Sequence, residues 1–158
     1  MKERTCCFIG HRKIEDTLEL RTELYESIER LITDEKVDTF LFGSKSRFND
    51  LCYELVTEIK EKYPHIKRIF VRAEYPNIDD SYKAYLLKYY EDTYYPDKIK
   101  GAGRAVYVER NCEMINNSRF CIIYHDEQNA PTARKSGTKI AFNYAVKHKK
   151  EIKNFPRA

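Results

Sequence analysis

The residues of this chain best suited to chemistry are an arginine and a helix start. Residues 104–117 read as a helix carrying Glu109-Arg110-Asn111, which feeds the apolar run Phe120 to Tyr124. After a polar loop, the next helix opens on Ser136-Gly137-Thr138, with Arg134 and Lys135 just before it. A guanidinium can grip two phosphate oxygens at once. The first N–H groups of a helix, at the positive end of its dipole, make an anion seat. Placed at one edge of a sheet, the two point to phosphate recognition and so to a nucleotide-type ligand. Each also has an ordinary reading. Arg110 lies roughly opposite the stripe Ala105, Val108, Cys112 and Ile115, where an ion pair with Glu113 would occupy it. Ser136 would serve as a plain N-cap.

Three further groups follow strands. Gly10-His11-Arg12 comes directly after the first apolar run; the glycine allows close backbone approach to a phosphate, and Arg12 offers a fork of donors. His11 is a possible acid or base, with no carboxylate partner visible in the sequence. Gly43-Ser44-Lys45-Ser46 follows the second run, with Asn49 and Asp50 entering the next helix. It offers N–H groups, hydroxyls and a charge, or else a polar turn capped by Ser46 or Asn49. The G-x-x-x-x-G-K-[ST] spacing of a P-loop is absent. The third group is the tyrosine-dense segment from Tyr75 to Tyr95, in which Tyr75 or Tyr82 could stack on a base, or the aromatics could form a lid or subunit interface. Asp126 and Glu127 are the carboxylates nearest these groups.

Positioning these residues requires short strands alternating with helices, the pattern of parallel strands joined by crossover helices. Strands are expected at Thr5 to Ile9, Thr39 to Phe42, Arg68 to Arg72, Phe120 to Tyr124 and Ile152 to Phe155. Leu20, Leu24, Ile28, Leu31 and Ile32 give the helix from about Thr17 to Thr33 one apolar face, and Asp16 and Glu19 have capping-box spacing. Phe48 to Lys62 is a second helix, stopped by Pro64. Ser81 to Lys88 is a short third helix in a segment otherwise read as loop, and Gly137 to His148 a final one. The expectation is an α/β, Rossmann-like, doubly wound and mainly parallel sheet flanked by helices, with residues 1–158 as one domain. In such sheets the ligand lies beyond the carboxyl ends of the strands, near the switch in strand order.

Composition narrows the class further. A net charge of +4 with both signs intermixed suits an anionic small molecule better than a nucleic-acid surface. The Lys147-His148-Lys149-Lys150 run reads as a solvated helix end. Cys6, Cys7, Cys52, Cys112 and Cys121 form no C-x-x-C pair and have no histidine at zinc-finger spacing, so buried reduced thiols are expected and no metal. No long apolar segment is present. The expectation is a cytoplasmic protein with neither signal peptide nor membrane span.

Taken together, C-C-F-I-G-H-R at Cys6–Arg12, F-G-S-K-S-R-F-N-D at Phe42–Asp50, Y-V-E-R-N-C-E-M-I at Tyr107–Ile115 and S-G-T at Ser136–Thr138 resemble the SLOG superfamily over nearly the whole chain. This Rossmann-like group contains the DNA-processing protein DprA and the LOG-type phosphoribohydrolases, and the likeness is greatest to its YpsA-like branch. LOG enzymes split nucleoside monophosphates into base and ribose phosphate. Glu109-Arg110, Met114, Ser118 and Gly137-Thr138 match their motifs. Their catalytic glutamate falls on Ala141, and their Pro-Gly-Gly start is missing near Ala133-Arg134-Lys135. The resemblance therefore implies a nucleotide-binding domain without turnover and without a cofactor, in the manner of SLOG domains that sense ADP-ribose-type messengers in antiviral defence. Arg110, Gly137 and Thr138 would hold one phosphate; Gly10, Arg12, Gly43 and Ser44 would hold a second phosphate or a ribose. A homo-oligomer, dimer or tetramer, is implied as well. LOG-like hydrolysis would need Glu113 or Asp126 as a substitute carboxylate. DprA-like binding of single strands is the third possibility.

Overall fold

The computed structural model describes residues 2–99, 101–126 and 137–156. Its strands are β1 (Thr5–Gly10), β2 (Thr39–Phe42), β3 (Lys67–Val71), β4 (Asp92–Tyr94), β5 (Phe120–Tyr124) and β6 (Glu151–Phe155). Its helices are α1 (Leu18–Asp34), α2 (Arg47–Lys60), α3 (Asp80–Leu86), α4 (Val106–Asn116) and α5 (Gly137–Lys147). The strands form one sheet in the order β4-β3-β2-β1-β5-β6, and every pairing is parallel. The chain is thus an α/β, Rossmann-like, doubly wound fold. From β1 it winds outward through β2, β3 and β4, then returns to pair β5 on the other side of β1. The switch in strand order lies between β1 and β5, and it is at this point that the site residues converge.

Strand periodicity explains why the sheet is covered on both faces. Every residue of β1 and β5 is buried. Cys6 and Phe8 enter one apolar cluster with α1 and α2 side chains, including Leu24, Ile28, Leu51 and Val56. Cys7 and Ile9 enter the opposite cluster with Met114, Ile115, Ala141 and Ala145 of α4 and α5. All five cysteines are free thiols. No helix among the described residues is long and apolar enough to cross a membrane.

Three expectations need correction. Helix α1 is capped by Thr17, whose hydroxyl accepts from Leu20 N, so Asp16 and Glu19 do not form a capping box. Asp16 instead grips the Arg21 guanidinium through both oxygens and also pairs with Arg47, tying α1 to α2 and holding its carboxyl below the usual range through the Arg21 bond. The tyrosine-rich segment, read as loop outside its short helix, contains strand β4. Asp-Thr-Tyr shows no apolar period; β3 recruits it through the pairs Ile69↔Asp92, Phe70↔Thr93 and Val71↔Tyr94. Finally, α4 is turned differently about its axis. Its buried residues are Arg110, Asn111, Met114 and Ile115, while Ala105 is exposed and Val108 and Cys112 are half-buried. The second turn of α4 borders a cavity and only its end covers the sheet, so the inward stripe is polar first and apolar after.

Candidate functional site

The carboxyl ends of β1, β2, β3 and β5, with the starts of α4 and α5, enclose a cavity of about 1400 Å³. Ligand pockets are commonly about 300–1,000 Å³, so this one has room for a ligand of more than one moiety. Gly10, His11, Arg12, Gly43, Ser44, Lys45, Tyr75, Tyr82, Arg110, Asn111, Gly137 and Thr138 all line it. Segments far apart in sequence are therefore brought to one place. Ser136, Glu127, Arg134 and Lys135 lie outside the described residues.

Arg110 is the central feature. It is 4% exposed, and the alternative reading of a surface pair with Glu113 does not hold; Glu113 accepts from Asn116 Nδ2 at 2.7 Å instead. The guanidinium donates from Nη1 to the Gly43 carbonyl at 2.6 Å and from Nε to Asn111 Oδ1 at 3.1 Å. Both partners are neutral. Among the described residues Arg110 makes no ion pair. Burial pushes its pKa down to about 10, opposed by Tyr107 and Glu74, and it remains a cation at neutral pH. A buried charge that makes no ion pair loses several kcal/mol of hydration, roughly, which an incoming anion can offset.

The glycines also serve the packing around the cavity. A Cβ on Gly10 would lie 2.4 Å from Phe48, so this glycine makes room for the α2 side chain beneath it. A Cβ on Gly43 would lie 2.9 Å from Arg110 Cδ, 3.0 Å from Met114 Sδ and 3.0 Å from the Val71 carbonyl. The Gly43 N–H is not aimed at a ligand, for it donates to Asn49 Oδ1 at 3.2 Å. Asn49 is accordingly a brace for the loop: it is buried, lies outside the main cavity, and borders a smaller recess with Ser44, Lys45, Ser46 and Tyr90. Ser46 caps α2 by accepting from Asn49 N at 3.0 Å, and the Ser44 and Ser46 hydroxyls are hydrogen-bonded at 3.0 Å. Opposite this loop, Gly137 and Thr138 open α5, and Thr138 is 7% exposed.

At the switch point, His11 Nε2 accepts the Asp126 N–H at 2.9 Å, joining the loops after β1 and β5. The imidazole sits among Tyr124, His125 and Asp126. Burial and the neighbouring His125 lower its pKa. At the far wall, Arg72 follows β3 and is also buried. It donates to the Tyr75 carbonyl at 3.2 Å and to Thr93 Oγ1 at 3.0 Å. The first bond secures Tyr75, whose φ of 59° is left-handed and costs about 1–2 kcal/mol for a side-chain-bearing residue. The Tyr75 and Tyr82 rings meet edge to face at 6.0 Å.

Arg72, Glu74 and Tyr107 line the cavity without having been singled out from the sequence. Arg72 was read as the last residue of a strand, whereas β3 ends at Val71 and leaves Arg72 at the carboxyl edge beside the cavity. Of the substitute carboxylates, Asp126 lines the cavity and Glu113 does not. Ala141 is 1% exposed and packs in the apolar cluster between α5 and the sheet. Among the described residues, no group of three or more His, Cys, Asp or Glu is arranged to hold a metal ion. Compared with known proteins, the chain matches no family model, and no curated protein matches it.

Proposed function

We propose that this protein binds a phosphate-bearing, nucleotide-derived ligand of the ADP-ribose type, as a sensor or sequestering domain, and does not turn it over. The observation that carries the reading is Arg110: a buried cation with only neutral partners, on the wall of a cavity at the sheet's switch point. Thr138 and the start of α5 would share the phosphate, and Tyr75 and Tyr82 would meet the base. Membership of the SLOG superfamily is part of this proposal and supports the choice of ligand. The interleaved acids on the wall, Glu15, Glu74, Asp79 and Asp126, fit a small anion better than a strand of nucleic acid. Self-association belongs to the same proposal and is supported by the exposed tyrosines 75, 85 and 89, which continue through Tyr82 as a run of ring contacts.

The reading is tested by incubating wild type and Arg110→Met with AMP and ADP-ribose, then identifying bound and free material by mass spectrometry. Intact ligand should be recovered from the wild type. Arg110→Met should bind at least about tenfold more weakly, a loss of about 1.4 kcal/mol, and melt no lower than wild type by more than a few degrees, since a buried cation that makes no ion pair adds little stability. Equal binding by the two proteins would remove Arg110 from the site. Release of free base would make the protein a hydrolase, with Asp126 the carboxylate to replace next.

A further inference from the structure

Within the cavity, Tyr107 is already engaged by an acid. The Tyr107 hydroxyl, in the first turn of α4, donates to the Glu74 carboxylate, which enters from the opposite wall just beyond β3. The Arg110 guanidinium carbon lies 5.9 Å from the Tyr107 ring. All three residues line the same cavity. Tyr107 is 47% exposed and Glu74 half-buried, so solvent reaches both, whereas Arg110 lies beneath them. Positions 107 and 110 are helical neighbours three apart. Helix α4 therefore presents a hydroxyl donor and a cation side by side, the pair of groups that suits a phosphate monoester. Glu74 holds the hydroxyl and contributes a negative charge felt at Arg110, yet makes no ion pair with it among the described residues.

We propose that Glu74 competes with the ligand's phosphate for the Tyr107 hydroxyl and for the field of Arg110, and so sets how much negative charge a ligand needs in order to bind. The inference rests on the phosphate reading given above. A phosphate oxygen takes over the hydrogen bond that Tyr107 donates to Glu74, and the freed carboxylate turns toward solvent. A ligand without a phosphate gains nothing at Arg110 and leaves the Tyr107–Glu74 bond in place. Like-charge opposition of this kind weakens binding of every anion and is removed when the acid is made neutral. Tyr107 and Glu74 are thus positioning residues for charge selection.

Calorimetric titration of AMP, with adenosine as the uncharged control, tests the competition in wild type, Glu74→Gln, Tyr107→Phe, the double variant and Arg110→Met. All substitutions at positions 74 and 107 are near-isosteric and on half-buried or exposed side chains, and melting curves check the fold. Glu74→Gln should bind AMP about tenfold more tightly than wild type, with adenosine binding unchanged. In the Tyr107→Phe background the same substitution should gain no more than about threefold, because the contested hydroxyl is gone. A gain of equal size in both backgrounds would overturn competition for the hydroxyl. No gain from Glu74→Gln, with AMP binding still lost in Arg110→Met, would overturn the role of Glu74 and leave the phosphate reading intact. Absence of AMP binding in wild type and Glu74→Gln alike would overturn both.

Discussion

Arg110 packs close against the loop after β2 because position 43 has no side chain. A methyl group there would press on Arg110, on Met114 and on a backbone carbonyl, the last of which cannot yield cheaply. The sequence marked Gly43 as a contact to a phosphate or ribose; the structure adds that its missing side chain makes room for the arginine. His11 shows the same dependence on neighbours. To accept the Asp126 N–H at Nε2 it must be neutral with its proton on Nδ1, and burial with His125 beside it favours that neutral form. Its pKa is lowered in the folded protein from a usual value of about 6.5. The unfolded chain therefore binds more protons between the two values, and stability rises with pH across that window. The contribution is present above about pH 6.5 and lost as pH falls through the lowered value. A His11→Gln variant keeps an acceptor for the N–H but takes up no proton. It should lose less Tm than wild type between pH 7 and pH 5, as measured by thermal melts. Equal losses would assign the acid sensitivity to other groups.

At the scale of elements, α5 decides whether a glutamate at position 141, where the LOG resemblance would put one, could reach the cavity. Ala141 points into the apolar cluster with Cys7, Ile9 and Ala145, and the cavity-lining residues of this helix are Gly137 and Thr138. Ala141→Glu should therefore destabilise the protein by more than about 3 kcal/mol, the scale of an uncompensated buried charge, as read from urea unfolding. A variant as stable as wild type would mean that position 141 reaches the cavity, which would reopen the hydrolytic reading. The start of α2 was legible in the sequence, since both Ser46 and Asn49 stand where a cap is wanted. Their division of labour was not: Ser46 caps the helix and Asn49 turns back to Gly43 N. Strand β4 was missed because three residues carry no period and it opens on an aspartate, which strands disfavour. Its formation depends on β3 lying alongside, with Thr93 Oγ1 donating to the Phe70 carbonyl at 2.8 Å.

Over the whole molecule, the two-sided sheet buries four of the five thiols, and Cys112 alone is half-buried. Burial, more than the adjacent Glu109 and Glu113, raises the Cys112 pKa to about 11. A thiol-reactive dye at pH 7 should label at most one cysteine, slowly, in the native protein and five in denaturant; rapid native labelling of two or more would contradict this packing. Apolar runs bounded by glycine and helical stripes are properties of neighbouring residues, so five of the six strands, the helices and the α/β class could be read directly from the chain. The carboxyl-edge rule then placed most of the named candidate residues on the cavity wall without coordinates. Contacts across the sheet could not be read in this way. The His11–Asp126 bond spans 115 positions and the Arg110–Gly43 bond 67. Both follow from a strand order in which β1 lies between β2 and β5, and no local period encodes that order. The inward turn of α4 has the same origin: an arginine opposite a helix's apolar stripe belongs in water until a cavity wall forms beside it.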